Sequence, residues 1–131
     1  YKLTKIFKNL IRAILRYQDE SDGRWYQVVD KVGEEGNWPE TSCSCLFTAA
    51  LAKAIRKGIL SKDYVSYAKK GYQGVIESLI WNEGNIQIGN VCIGTGVGDY
   101  EHYCNRPTVV NDLHGVGAFL LMCEEMQQIW E

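Results

Sequence analysis

The chain has 131 residues, of which 46% are hydrophobic and 23% charged, a balance typical of one globular domain. Its formal net charge is −2, so we expect neither nucleic acid nor an anionic membrane as a partner. Because no apolar run approaches the roughly 20 residues that a spanning helix needs, we expect no membrane segment.

The cysteine pattern argues against a disulfide framework and against a metal centre. The chain has five cysteines, an odd number, and no Cys-x-x-Cys pair. His102 and Cys104 alone do not make a metal site. We therefore expect buried structural thiols, no metal and no cofactor. Cytoplasm and periplasm both stay open as compartments.

The N-terminal region predicts an amphipathic helix over residues 2–17. Apolar residues recur at the i, i+3, i+4, i+7 spacing of one helix face, and lysines and arginines occupy the other. Asp22-Gly23 then predicts a turn. The region has no signal-peptide hydrophobic segment and begins without methionine, so we expect a fragment or a processed product.

A short aromatic strand, a long loop and a capped helix are predicted next. Trp25, Tyr26, Val28 and Val29 favour the strand, and the loop carries Trp38 and Pro39. Thr41 or Ser42 is the predicted cap of a helix running from about Ser44 to Arg56. Glu40 would then lie near the positive end of the helix dipole.

The second half repeats this order. Ser61 is the predicted N-cap of a third helix, antiparallel to the second because the connection is short. A turn over residues 82–85 leads to a predicted strand over Asn85–Cys92. Asn111 or Asp112 caps a predicted last helix, from about Leu113 to Trp130. Along it, Val116, Leu120, Cys123 and Gln127 form one line, and Phe119, Met122 and Met126 form a neighbouring apolar row.

The glycine-rich segment between them, Gly94-Thr95-Gly96-Val97-Gly98, is a weak phosphate-loop signal. It lacks the Lys-Ser/Thr that follows in a P-loop and the βαβ setting of a dinucleotide fold. Tight turns are the better interpretation of these glycines. The repeated order of elements predicts an all-α fold with short β-hairpins, a stack of helical hairpins whose long loops share one end.

Several segments in one collinear order carry a family resemblance. They are Gly23-Arg24-Trp25-Tyr26-Gln27, Glu40-Thr41-Ser42-Cys43-Ser44, Lys70-Gly71-Tyr72, Gly84-Asn85-Ile86, Cys92 to Gly98, Val110-Asn111-Asp112 and Gly115-Val116-Gly117-Ala118-Phe119-Leu120. Over nearly its whole length, the sequence resembles the later part of glycoside hydrolase families 88 and 105. These are the unsaturated glucuronyl and rhamnogalacturonyl hydrolases, and the likeness to family 105 is the closer one.

The resemblance implies a six-hairpin (α/α)6 toroid, of which residues 1–131 would form a single C-terminal fragment. In the family, an aspartate acts as general acid and base in hydrating the C4–C5 double bond of a terminal unsaturated uronic acid. The family places that aspartate in its N-terminal half, and this sequence has no counterpart. We therefore expect the chain to contain no catalytic residue and to be inactive alone.

Nine residues are candidates for binding an unsaturated oligosaccharide. They are Trp25, Tyr26, Glu40, Thr41, Ser42, Tyr103, Arg106, Asp112 and His114. The resemblance places Arg106 and Tyr103 on the substrate rim, where Arg106 could bind a uronate carboxylate bidentately.

Each candidate also has a purely structural interpretation. Glu40, Thr41 and Ser42 can be a helix cap with a solvated glutamate, and Asp112 can cap while backbone satisfies His114. Trp25 and Tyr26 can pack beneath the loop. Tyr103 and Arg106 can belong to an ordinary surface loop.

Two functions from different classes remain open. The preferred one is a piece of an unsaturated uronyl hydrolase acting on oligosaccharides from pectin or glycosaminoglycans. The alternative is a non-enzymatic helical module that binds carbohydrate or protein. In either case, apolar helix faces without enough partners predict a homo-oligomer or a missing N-terminal segment.

Overall fold

The computed structural model describes residues 1–130, which form helices joined by short strand pairs. The helices are α1 (Lys2–Leu15), α2 (Thr41–Arg56), α3 (Val65–Glu77), α4 (Tyr100–Cys104) and α5 (Leu113–Gln127), with a 3-10 turn over Lys62–Tyr64. The strands are β1 (Ile80–Asn82), β2 (Asn85–Gln87), β3 (Val91–Cys92) and β4 (Thr108–Val109). Among the described helices, none has the length and apolar character required to span a membrane.

Helix α2 is the central element, and it packs mainly against α5 and α3. Its last residue, Arg56, donates to the Glu125 carboxylate near the end of α5, with Nε 3.0 Å from Oε2. At the opposite end, both helices start beside the antiparallel pair β3–β4. Helices α2 and α5 are therefore parallel, and they begin on the same side of the molecule.

The buried core lies where α1, α2, α3 and α5 meet. Its fully buried members include Trp25, Leu51, Val75, Met122 and Met126. The side chain that closes this core at the α1 end is Trp25, which is 0% exposed and packs edge-on against Phe47, with ring centroids 5.3 Å apart. Its indole Nε1 donates to the Ile14 carbonyl at 2.8 Å, which ties α1 to the core.

Helix α3 lies close to the chain around it because two of its residues are glycines. A Cβ on Gly74 would overlap the Asp22 carbonyl oxygen, and a Cβ on Gly71 would overlap the Thr48 hydroxyl on α2. The sequence Gly71-Tyr72-Gln73-Gly74 thus permits the contact between α3, the turn after α1, and α2.

The predicted strand over Trp25–Val29 is wrong. Only Tyr26 makes an isolated bridge, to Pro39. The side chain of Asn37 replaces the missing ladder, since its Oδ1 accepts from the Val28 N–H at 3.1 Å and its Nδ2 donates to the Val28 carbonyl at 2.9 Å. The Asn37 side chain, and not a neighbouring strand, therefore provides the hydrogen-bond partners of the Val28 backbone.

The single strand predicted over Asn85–Cys92 is also wrong in its extent. Its two ends belong to different pairs, β1–β2 and β3–β4. Between them, Asn90 has a positive φ of 52°, and the Ile88 N–H donates to the Asn111 side chain at 2.9 Å. The predicted turn at residues 82–85 is confirmed as the link between β1 and β2.

Helix ends differ from the predictions in four places. Helix α2 begins at Thr41, and its cap is Glu40 instead of Thr41 or Ser42. The Ser61 side chain makes no capping hydrogen bond, and a 3-10 turn precedes α3. Helix α1 ends at Leu15 and α5 at Gln127. Met122 and Met126, which were predicted in an apolar row of α5, face the core together with Gly115 and Ala118, whereas Leu120 is exposed.

Candidate functional site

Two helix N-termini meet at the β3–β4 pair, and this is where most of the predicted site residues lie. The Thr41 N–H at the start of α2 donates to the Asn90 carbonyl, just before β3, at 2.9 Å. The Asn111 N–H, just before α5, donates to the Ile88 carbonyl at 2.9 Å. Because the N-terminus of a helix carries a partial positive charge, each of the two favours an anion, and the carboxylates of Glu40 and Asp112 take these positions.

Glu40 joins the start of α2 to β3 and is almost completely buried, at 3% exposure. Its carboxylate accepts from the Cys43 N–H at 2.6 Å and from the Cys92 N–H at 3.0 Å. The Ser42 hydroxyl lies 2.8 Å and 2.9 Å from its two oxygens. These donors belong to the first turn of α2 and to β3, so the Glu40 carboxylate fixes these two elements to each other.

Thr41 and Trp25 lie beneath the surface. Thr41 is 1% exposed, and its hydroxyl has no hydrogen-bond partner within the described residues. The Trp25 N–H donates to the Ser44 hydroxyl on α2 at 3.0 Å. Trp25 therefore supports the site from the core.

Tyr26 lies at the edge of the same region and is partly buried. Burial raises the pKa of its phenol, and the nearby Asp19 and Asp22 carboxylates raise the pKa further. The phenol is therefore neutral across the physiological range and able to donate a hydrogen bond.

Arg106 holds the glycine-rich loop against β3. Its guanidinium Nη2 donates to the Ile93 carbonyl at 3.2 Å and contacts the Gly94 carbonyl. Its Nε is buried and has no acceptor within residues 1–130. The phenol oxygen of Tyr103 accepts from the Gly98 N–H at 3.2 Å, so both candidates shape this loop.

The two long loops are joined to each other. The Trp38 indole Nε1 donates to the Cys104 carbonyl at 2.9 Å, and the Tyr100 hydroxyl donates to the Glu35 carbonyl at 2.9 Å. A shallow cavity of about 360 Å3 beside α4 is lined by Asp99, Glu101, His102, Asn105 and Arg106. Arg106 therefore borders a space that a small ligand group could enter.

Asp112 and His114 form a pair at the start of α5. The Asp112 carboxylate caps the helix by accepting from the His114 N–H at 3.1 Å, and the same carboxylate oxygen contacts the His114 ring Nδ1. The side chain of His114 is 52% exposed. Within this pair, His114 is an accessible imidazole whose ring contacts a carboxylate.

The structure thus brings Glu40, Ser42 and Arg106 to the β3–β4 pair, and Asp112 and His114 to the helix that follows it, while Trp25 lies in the core. The assignment of the nine residues to substrate binding stays a prediction. Sequence reasoning missed Tyr100 as a link between the loops. It also missed Asn37, whose position before Trp-Pro in a loop is the signal that could have marked it as a turn-former.

The cysteines of α2 are poorly suited to nucleophilic or metal chemistry. Burial raises the pKa of Cys45 to about 12 and places that of Cys43 well above its usual value. Both thiols are therefore protonated at neutral pH. Within residues 1–130, no group of three or more His, Cys, Asp or Glu side chains is arranged to hold a metal ion.

Comparison with known proteins identifies the family. The model of Glycosyl Hydrolase Family 88 matches residues 1–130. Protein Atu3128 of Agrobacterium fabrum is 27% identical over 133 residues, which cover 90% of this chain and 57% of that protein. The chain therefore spans little more than half of that relative.

Two solved structures show the same fold. A family 105 glycoside hydrolase from C. acetobutylicum superposes with a TM-score of 0.92 at 32% identity, over 96% of this chain and 38% of that one. A possible family 105 member from Salmonella enterica superposes with a TM-score of 0.85 at 25% identity, over 99% and 32%. The predicted all-α fold with short β-hairpins, a part of a six-hairpin glycosidase, is confirmed. The chain belongs to glycosyl hydrolase family 88.

Proposed function

We propose that this chain forms a substrate-binding wall of an unsaturated uronyl hydrolase that acts on oligosaccharides derived from pectin or glycosaminoglycans. The observation that carries the proposal is that Arg106, which borders a shallow cavity, lies beside the β3–β4 pair where α2 and α5 begin. A uronate carboxylate is an anion that a guanidinium binds, whereas the two helix N-termini already hold the Glu40 and Asp112 carboxylates. Family membership supplies the glycosidase class.

In this proposal, the residues of the chain bind and orient the sugar. Arg106 donates to the carboxylate, and the exposed His114, paired with Asp112, hydrogen-bonds a sugar hydroxyl. Glu40 acts indirectly, because its contacts with Cys43 and Cys92 fix the start of α2 against β3. The proton transfer that hydrates the C4–C5 double bond falls to an aspartate outside the matched third of the enzyme.

The test is calorimetric titration of the chain with an unsaturated digalacturonate. We expect binding that Arg106→Lys weakens by about 10- to 100-fold, since lysine keeps the charge but not the forked donor geometry. Lys57→Ala is the matched control, because Lys57 is an exposed cation at the far end of α2. Equal affinity of Arg106→Lys and the parent chain would remove Arg106 from the site.

A second function, a non-catalytic carbohydrate-binding module, is favoured by the state of Glu40. Glycoside hydrolysis commonly uses two carboxyl groups placed across a bond, and the Glu40 carboxylate is already bonded to two backbone N–H groups and a hydroxyl. Hydration of the substrate removes the conjugated double bond and with it the ultraviolet absorbance. Binding without loss of absorbance would support a binding role for the chain alone.

A further inference from the structure

A groove lies between the end of α1 and the start of α3, on residues that belong to neither of the two long loops. Its volume is about 760 Å3. The residues that matter to its chemistry are Arg12, Arg16, Gln18, Tyr64, Tyr67 and Lys70. Arg12 belongs to α1 and Arg16 follows its last residue, and both line the groove together with Lys70 of α3.

The three cations of the groove have no carboxylate partner within 4 Å among the described residues, since none of them occurs in an ion pair there. Among residues 1–130, the hydrogen-bond partner of the Arg12 side chain is the Asn9 side chain, at 3.4 Å. Glu20 and Asp63 also line the groove, which leaves a formal charge of +1 from these five side chains, and Lys70 in addition attracts the nearby Asp19 carboxylate. A ligand with one carboxylate matches this surplus.

Two tyrosine rings line one side of the groove. The rings of Tyr64 and Tyr67 lie with centroids 6.2 Å apart and an angle of 41° between their planes. Tyr67 is 43% exposed, so part of its surface is available to a ligand. An aromatic ring beside polar groups is the combination that receives the apolar face of a sugar while its hydroxyls are hydrogen-bonded.

Gln18 fixes the spacing of the two walls. It is 8% exposed, and its amide Nε2 donates to the Gly23 carbonyl at 2.8 Å and to the Tyr67 carbonyl at 3.0 Å. The first bond stays within the turn after α1, and the second reaches α3. These two hydrogen bonds hold the turn after α1 against α3, so the two walls of the groove are already in place before a ligand binds.

We propose that this groove is a second binding site for an anionic saccharide, with a uronate carboxylate on Arg16 and Lys70 and the sugar face on Tyr67. The choice of a uronate rests on the proposed function, whereas the charge and aromatic content of the groove do not. The site shares no residue with the surface around β3–β4, so the two can be separated by mutation.

The test is nitrogen-15 NMR titration of the whole chain with trigalacturonate, with neutral galactotriose as the comparison. We expect shifts at the amides of residues 12–20 and 63–70 with trigalacturonate and not with galactotriose. The double variant Arg16→Gln/Lys70→Gln should weaken this binding at least tenfold, and Tyr67→Leu should weaken it while the charge is kept. Lys57→Gln should leave it unchanged.

Three outcomes would overturn the proposal: no shifts at these amides, equal shifts with both sugars, or unchanged affinity in the double variant that is still folded by its amide spectrum. Arg106→Lys separates this site from the proposed function. It should weaken the binding that shifts around β3–β4 report and leave the shifts of the groove unchanged. Absence of the β3–β4 shifts in the parent chain would count against the proposed function, and absence of the groove shifts would count against the second site.

Discussion

At the scale of single residues, Glu40 shows how a buried carboxylate joins two elements at the candidate site. Sequence reasoning placed it near the start of α2 but assigned the cap to Thr41 or Ser42, because glutamate is not among the preferred N-cap residues. The difference arises from β3, whose Cys92 N–H reaches the same carboxylate. That contact crosses 52 residues and has no local signal.

Glu40→Gln should destabilise the chain by about 1–3 kcal/mol, since an amide cannot accept from both the Cys43 and the Cys92 N–H groups, and one buried donor is left unpaired. Urea unfolding measures the change. Glu34→Gln is the control, because Glu34 is exposed and makes only a surface pair with Lys31. Equal stability of the two variants would contradict the structural role of Glu40.

The buried thiol of Cys45 should make the stability of the chain depend on pH. Because the folded pKa of Cys45 is about 12, above its ordinary value of 9.0, the folded state favours the protonated thiol. The resulting stability is fully present below pH 9 and is lost as the pH rises toward 12. We expect the free energy of unfolding to fall over this range in the parent chain, and to fall less in Cys45→Ala.

The same thiol should react slowly with an alkylating reagent. At pH 8, a rise in pKa from 9.0 to about 12 lowers the thiolate fraction of Cys45 roughly a thousandfold. Mass spectrometry of partly alkylated protein should find Cys45 modified far more slowly in the folded chain than in urea. Similar rates in the two conditions would show that the thiol is not buried.

At the scale of elements, the longer helices could be predicted because each has a periodic apolar face. The bounds of the strands could not be predicted, since each strand is only two or three residues long and β3 pairs with a strand that is distant in sequence. The aromatic segment after Gly23 looked like a strand, yet Asn37 bonds to Val28 in place of a second strand. Helix α4 was not predicted either, because its five residues are too few to show a periodic apolar face.

The glycines of the helices give a matched pair of tests. Gly74→Ala should destabilise the chain by about 1–3 kcal/mol, because its Cβ would overlap the Asp22 backbone and separate α3 from the turn after α1. Gly117→Ala should stabilise it by about 0.5–1 kcal/mol, since Gly117 lies exposed in α5 with nothing within 4 Å of a new Cβ. Thermal unfolding of both variants measures the contrast, and shifts of the same sign would contradict the packing of α3.

At the scale of the whole molecule, two helices carry apolar faces that no described element covers. On α1, Leu3, Ile6 and Leu10 are between 54% and 81% exposed, and on α5, Leu113, Leu120 and Leu121 are between 56% and 86% exposed. Patches of this kind usually mark contact surfaces.

We therefore expect the 131-residue chain to self-associate at micromolar concentration in sedimentation velocity. The double variant Leu3→Asp/Leu10→Asp should shift it toward the monomer. Asn9→Asp is the control for added negative charge on the same helix. A parent chain that sediments as a single monomeric species would contradict this expectation.

The position of the site follows from the fold at this largest scale. Because α2 and α5 are parallel, their N-termini and the loops before them lie on one side, as the repeated order of elements predicted. Sequence could predict this shared end, since it depends only on the order of helices. It could not show that Trp25 is buried in the core, because that depends on how α1 packs against α2.

The most direct test is a crystal structure of the chain grown with an unsaturated digalacturonate. The account predicts the sugar beside the β3–β4 pair, with its carboxylate within hydrogen-bond distance of Arg106 and a hydroxyl on His114. A structure in which this surface stays empty, or in which the disaccharide lies only elsewhere, would contradict the claim that this part of the family 88 fold is a substrate-binding wall.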